Sequence, residues 1–394
     1  MSFDYKSTFS LPRSMTPDAC RLHSSYPLYE NDYVHLISSD LWEAITGEKQ
    51  PPIGNCHFCN VNADFVTTQG EYPNQYLQMA KDRQGSRNLQ QKIQAASESE
   101  RNMIINELLP YLSQLVYDPC ANYVIQKICD YCNESQRKVF LDFFLNNIQT
   151  IVEHQNGCRV LQKFIETIDS EKVDQLFLSL KPNLLRLCVS LNGNHIVQAF
   201  IEALPHRVSE IVDIIKDNVI NLVVDNCGCR VVQKLFEKED IRNLKVIVDR
   251  VSQCGVDLAI NQYGNYVIQN ILEGGSTAQV DYLFGLFVGH FYQFSIHKFA
   301  SNVIEKLIRR ASSTQKERIF SEIIGTENNY DTKRILQLVG DQFGNYVIQR
   351  ILENGTESQL NIIYEVVYDN FDTITRSPYS KHVFSKLQSL GFEF

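Results

Sequence analysis

The chain has 394 residues, 44% of them hydrophobic and 21% charged, an average soluble composition long enough for two or three ordinary domains. Its net charge of −9 argues weakly against a nucleic-acid partner. No apolar run follows Met1, and stretches such as Leu283–Val288 are too short to cross a bilayer, so neither a secretory leader nor a membrane span is expected. Eleven cysteines, an odd number scattered through helical patterns, suit a reducing compartment, and a soluble cytoplasmic location is expected.

Residues 1–70 read as a poorly structured N-terminal segment, rich in Ser, Tyr, Asp and Pro and broken by Pro51-Pro52 and Gly54. Asp40-Leu41-Trp42-Glu43 resembles a capping box opening one short helix. Cys56 and Cys59, with Cys20 and His23 upstream, offer four zinc-ligand types, but the spacing is not that of a known site and no metal is expected. Residues 67–82 look like a short N-terminal cap. From 71 to 394 the chain is periodic, and one repeat domain is expected.

The second unit shows the local pattern. Glu98 to Leu109 places Met103, Ile104, Leu108 and Leu109 at helical spacing, Pro110 interrupts, and Tyr111 to Tyr117 predicts a short helix. After the Asp118-Pro119 turn, a helix from about Cys120 to Cys132 is predicted to bury Val124, Ile125 and Ile128, with Cys129 and Cys132 in the core. The next, Gln136 to Ile148, is predicted to bury Val139, Phe140, Phe143 and Phe144. Ser377 to Phe394 looks like a degenerate final repeat.

Eight cassettes mark the units: Gly85–Gln90, Ala121–Gln126, Gly157–Gln162, Gly193–Gln198, Gly228–Gln233, Gly264–Gln269, Ala300–Glu305 and Gly344–Gln349. Successive cassettes are 36 residues apart, except for one step of 35 and a last step of 44. The long step predicts an exposed loop at Gly325–Asp331. After each small residue, the first and fifth positions lie four apart, one turn along the same helix face. The third and fourth are apolar in every unit except at Asn88 and are predicted to face the core.

The first and fifth positions pair Ser86 with Gln90, Asn122 with Gln126, Cys158 with Gln162 and Asn194 with Gln198. The series continues with Cys229 and Gln233, Asn265 and Gln269, Ser301 and Glu305, and Asn345 and Gln349. The second position is Arg87, Tyr123, Arg159, His195, Arg230, Tyr266, Asn302 or Tyr346, in every case a planar group. Bases stack on such planes, and amides or a carboxylate sort Watson–Crick edges by donor and acceptor. Gly-Asn-Tyr also serves as ordinary helix-start chemistry, but a helix cap has no use for Gln or Glu one turn later. A HEAT- or armadillo-like scaffold that binds protein peptides is the alternative, and it predicts scattered variation rather than one planar residue per unit.

These cassettes resemble those of the Pumilio (PUF) family over roughly residues 70–394. The resemblance implies an all-α fold: a crescent-shaped α-solenoid of eight three-helix repeats with terminal caps. It implies a monomer holding single-stranded RNA on the concave face, antiparallel to the protein, in messenger-RNA 3′ untranslated regions, with translational repression or decay as the outcome. By the family's preferences the Asn/Gln pairs read uracil, Cys/Gln and Ser/Gln read adenine, and Ser301/Glu305 reads guanine. The expected site is 5′-UGUAUAUA-3′. The resemblance also suggests co-repressor docking near residues 325–331.

Lys127, Lys163, Lys234, Lys306 and Arg350 follow the fifth position in five units. With Arg87, Arg159, Arg230, Lys298 and Lys381 they are expected to form a basic track along the RNA. No phosphate-cradling loop, GxSxG or HExxH motif occurs, so neither catalysis nor a cofactor is expected, and His195 is read as a stacking group.

Overall fold

Each cassette opens a helix because a polar side chain three residues upstream takes up the first free backbone N–H groups. In the computed structural model, which describes residues 75–394, the Asp225 carboxylate accepts from the N–H of Cys227 at 2.9 Å and of Gly228 at 2.7 Å. Asp82, Asp118, Asn261 and Asp341 do the same in their units, and Ser190 caps through one bond to Gly193. His154 and His297 fill the same position with Nδ1 as acceptor, at 3.2 and 3.3 Å from the two N–H groups in both cases. Such caps stabilise a helix start by about 1 kcal/mol.

The small residue that follows is set by close approach. A Cβ on Gly228 would stand 2.6 Å from the Leu222 carbonyl oxygen, and one on Gly344 would stand 3.0 Å from Leu338 Cα. Ala121 and Ala300 take the position in two units with their side chains fully buried.

The resulting inner helices are α1 (Arg83–Ala95), α2 (Ala121–Cys129), α3 (Gln155–Ile165), α4 (Gly193–Ala203) and α5 (Gly228–Lys238). They continue as α6 (Gly264–Gly274), α7 (Ala300–Arg310), α8 (Gly344–Asn354) and α9 (Ser380–Ser389). Each packs beside the next, forming one continuous layer. The apolar third and fourth cassette positions, such as Val267 and Ile268, are fully buried beneath it, while Asn88 is exposed as its polarity requires. One apolar cluster runs through the described units from Ala80 to Leu387, so each unit completes its neighbour's core.

In most units an outer helix and a short middle helix precede the inner one, as Ser170–Leu180 and Leu184–Cys188 precede α4. Pro110 interrupts as predicted: Glu98–Leu108 gives way to a 3-10 turn at Leu109–Tyr111 and then Leu112–Leu115. Outer helices open on capping boxes at Asn133/Gln136, Ser276/Gln279, Ser312/Gln315 and Thr356/Gln359. The predicted degenerate repeat is the inner part of a ninth unit, with helices Glu357–Asp369, Phe371–Ile374 and α9. Its open end is sealed by the C-terminal residues: the Phe392 ring stacks on Tyr364 at 4.6 Å, and Phe394 packs against Phe371 and Phe384.

Several expectations need correction. Met103 is 63% exposed, and Ile105 takes the buried place beside Ile104 and Leu108. Val139 is also exposed, because Phe140 and Phe144 point inward one turn apart and Val139 falls outside that stripe. The helix predicted over 136–148 runs without a break from Glu134 to Glu153, no proline standing where Pro110 and Pro182 interrupt other units. Residues 325–331 form a hairpin rather than a loop: β1 (Gly325–Thr326) pairs antiparallel with β2 (Asn329–Tyr330), and Gly325 has φ +92°. The capping box at Asp40, Cys20, His23, Cys56, Cys59 and the first part of the cap, residues 67–74, lie outside the described residues.

Candidate nucleic-acid interface

The three variable positions of each cassette divide by exposure. The first is buried in every unit, with Asn265 and Asn345 only 1% exposed. The second stands out into solvent in every unit but the fourth, where His195 is partly covered: Tyr123, Tyr266 and Tyr346 are half exposed or more, at 57%, 52% and 50%. Rings that packed between units would be covered, so these planes are presented. The fifth position is half-buried throughout, beside the first.

In the four Asn units the hydrogen bonds fix the amide polarity. Asn194 Nδ2 lies 2.8 Å from the Ser190 carbonyl oxygen and 2.9 Å from that of Leu191, and only a donor can face two carbonyls. Asn194 Oδ1 therefore points along the helix, where it accepts from Gln198 Nε2 at 2.8 Å. Asn122 with Gln126 and Asn265 with Gln269 repeat this link at 3.0 Å, and Asn345 with Gln349 at 3.2 Å. Each pair leaves the Gln carbonyl oxygen and a second Asn lone pair for an incoming edge, and three of them a second Gln N–H; Gln349 Nε2 also donates to the Asn345 carbonyl at 3.2 Å. Uracil offers carbonyls and an imide N–H to such a set.

Ser86 behaves similarly, its Oγ donating to the Cys120 carbonyl at 2.8 Å and accepting from Gln90 Nε2 at 3.2 Å. In the Cys units the thiols face backbone carbonyls, Cys158 Sγ to Gln155 O at 3.3 Å and Cys229 Sγ to Asn226 O at 3.5 Å. Burial pushes both thiols up to about 11, so they remain neutral. Gln162 is held instead by Arg159, whose Nη1 donates to its Oε1 at 3.2 Å.

Arg159 Nη2 also lies 3.2 Å from His195 Nε2. Burial foremost, then the charges of Arg159 and Arg230, hold His195 below the usual histidine value, leaving a neutral ring at pH 7. This region opens on a cleft of about 710 Å³ lined by Asn194, His195, Cys229, Arg230, Gln233 and Tyr266 among others. In the seventh unit Ser301 is buried and Asn302 exposed, and Arg350 Nε donates to Glu305 Oε2 at 3.0 Å.

The expected basic track is corrected by this geometry. Lys163 pairs with Asp130 at 2.8 Å, Lys234 with Glu237 at 3.1 Å, Lys306 with Glu273, and Lys127 with Asp130 at 3.9 Å. Arg350 binds Glu305 and Glu353. These five cations are neutralised on the protein itself. Lys298 lies over the Phe299 ring at 5.4 Å, while Arg87, Arg159, Arg230 and Lys381 are exposed. The acidic residue three positions after Lys127, Lys163, Lys234 and Arg350 was the available signal for this pairing. The upstream caps and the role of Arg350 also escaped the cassette reading, and a polar residue at a constant offset would have marked the caps.

A family model described as the Pumilio-family RNA binding repeat matches residues 75–109, 112–142, 147–180, 218–252, 255–285, 290–324 and 334–367. The fourth cassette falls outside these segments, yet Asn194 and Gln198 share the geometry of the other Asn units. Suppressor protein MPT5 of Saccharomyces cerevisiae is 32% identical over 191 residues, covering 45% of this chain and 22% of that protein. A Pumilio domain-containing protein of Schizosaccharomyces pombe and Pumilio homolog 12 of Arabidopsis thaliana are each 29% identical over 79% of this chain, covering 45% and 52% of their own lengths. The chain thus spans about half or less of these relatives. Among solved structures, the Puf3 RNA binding domain bound to a Cox17 RNA 3′ UTR recognition sequence superposes with a TM-score of 0.72. Its identity is 30%, over 80% of this chain and 93% of that one. PUF-8 in complex with PBE-RNA gives a TM-score of 0.69 at 29% identity, over 80% of this chain and 93% of that one.

Proposed function

This chain belongs to the Pumilio family of sequence-specific, non-enzymatic RNA-binding proteins, crescent α-solenoids in fold, and we propose that it reads single-stranded RNA of the form 5′-UGUAUAUA-3′. The observation that carries this reading is the pairing of a buried first-position group with a planar second-position group, once per unit, along one helical layer, with an amide hydrogen bond in the four Asn units. Residues 71–394 form the binding domain, and the RNA runs antiparallel to it, so the eighth unit meets the 5′ uracil and the seventh the guanine. The 3′ untranslated regions of cytoplasmic messages are the proposed targets, bound by a monomer. Repression or decay follows through partners recruited near residues 325–331.

Because the recurrent lysines are already ion-paired, stacking and edge contacts carry most of the affinity, and the salt dependence is shallow. Fluorescence polarisation tests the reading with labelled UGUAUAUA against a control in which UGU becomes ACA, alongside selection from a random RNA pool. Equal affinity for both oligonucleotides, or selection of no motif, would favour the peptide-binding scaffold.

A further inference from the structure

The ion pairs between units follow a rule that holds at four of the eight junctions. A cation stands six residues after the small cassette residue and reaches back to an acid nine after the small residue of the preceding unit. Lys163 binds Asp130 at 2.8 Å, Lys234 binds Glu202 at 3.5 Å, Lys306 binds Glu273, and Lys386 binds Glu353 at 3.0 Å. Elsewhere the cation place is Ala199 or Asn270, and Lys127 meets Gln94. In the seventh unit the acid position is occupied by Arg309. Arg350 alone therefore meets a like charge, where four of its counterparts find a carboxylate. It turns instead to Glu305, 3.0 Å from Nε, and is held from its own helix by Glu353. Both side chains are largely covered, at 24% and 17% exposed, so water screens the pair weakly.

We infer that Arg350 is a positioning residue for guanine selection: it fixes the Glu305 carboxylate in the orientation that meets the guanine edge. The inference rests on the reading of Glu305 as the guanine reader. Guanine presents two adjacent donors, N1–H and the exocyclic amine, and a carboxylate satisfies both only when its plane is aligned with the base. A glutamate has three rotatable bonds, and holding it before binding removes an ordering cost. Arg350 occupies one lone pair of Oε2, which leaves others on both oxygens for the two donors. The seventh unit has no amide pair of its own to do this, because its first position is Ser301. Glu305, the acidic fifth position, and Arg309, the basic residue in the acid place, lie one turn apart on α7.

The test uses the full chain and three RNAs: UGUAUAUA, UAUAUAUA and UGUGUAUA. Arg350→Ala should reduce the preference for guanine over adenine at the second base by about tenfold, the scale of one good bidentate contact. Discrimination at the fourth base should stay unchanged. Arg309→Glu leaves both partners in place but restores the missing acid, and it should lower the same preference several-fold by drawing Arg350 away. Thermal unfolding of both variants reports whether the array is intact. If both keep the wild-type guanine preference while losing affinity evenly for all three RNAs, the ion pair is only structural and the inference is overturned. If the wild-type protein itself shows no preference at the second base, the assignment of Glu305 as a reader fails first.

Discussion

Units six and seven sit side by side, with buried β-branched pairs under inner helices of equal length, yet they hold the polar fifth residue of the cassette by different means. In unit six everything is on one helix: Asn265 Nδ2 donates to the Asn261 carbonyl at 2.8 Å, and Asn265 Oδ1 accepts from Gln269 at 3.0 Å. In unit seven the fifth position is a carboxylate held by Arg350 of the following unit. An amide donates and accepts, so two amides orient each other. A carboxylate only accepts, so its orientation has to come from a donor, here Arg350 outside the cassette. The Asn units are self-contained, and the Glu unit depends on its neighbour.

The largest test converts one arrangement into the other. Ser301→Asn with Glu305→Gln should give unit seven the self-contained amide pair and move preference from UGUAUAUA to UUUAUAUA. Discrimination should change by about 1–3 kcal/mol, read from the ratio of dissociation constants. Equal losses on both RNAs would mean that unit seven contributes structure only. Removing a plane from unit six comes next. Tyr266→Ala should weaken binding by roughly 1–3 kcal/mol while keeping base preference at that position. Because the ring is half exposed, the unfolding midpoint should not move, and a large drop would mean that the ring packs rather than stacks.

The helix caps of the two units offer a pH-dependent comparison. Asn261 caps unit six without titrating, whereas His297 caps unit seven through a neutral Nδ1. Burial lowers the His297 value below 6.5 in the folded protein, so the unfolded chain takes up the proton first. The cap's contribution is therefore present above pH 6.5 and lost as the pH falls through the lower folded value. Unit seven should open before unit six on acidification, as amide hydrogen exchange resolved by helix would report, and His297→Asn should remove the difference. The smallest effect on RNA binding is expected at the hairpin after unit seven. A Gly/Ser linker of equal length over 325–331 should change affinity by no more than ~0.4 kcal/mol. Repression of a reporter carrying UGUAUAUA should fall, and full repression would place partner docking elsewhere.

Much of this was legible because the signal repeats. Val267 and Ile268, with their equivalents in other units, were identified as core by position alone, since a period of 36 residues averages out local ambiguity. Pro110 announced its break for the stereochemical reason that it has no N–H to give. Met103 and Val139 misled because each stands beside a second apolar residue, and periodicity cannot choose between adjacent candidates when the helix rotation is unknown. The hairpin at 325–330 carries little apolar pattern, and its form depends on the backbone turn at Gly325.

The chain's own chemistry determined the units, their apolar faces, their caps and the polar and planar groups that recur in each cassette, because these arise from residue type at a constant spacing. Tertiary structure alone decided the ion pairs that join one unit to the next. Lys163, Lys234 and Lys306 each find a carboxylate in the preceding unit, and Arg350, denied one by Arg309, takes Glu305. A lysine's partner is the nearest carboxylate in space, and that distance is fixed only when one unit stacks on another.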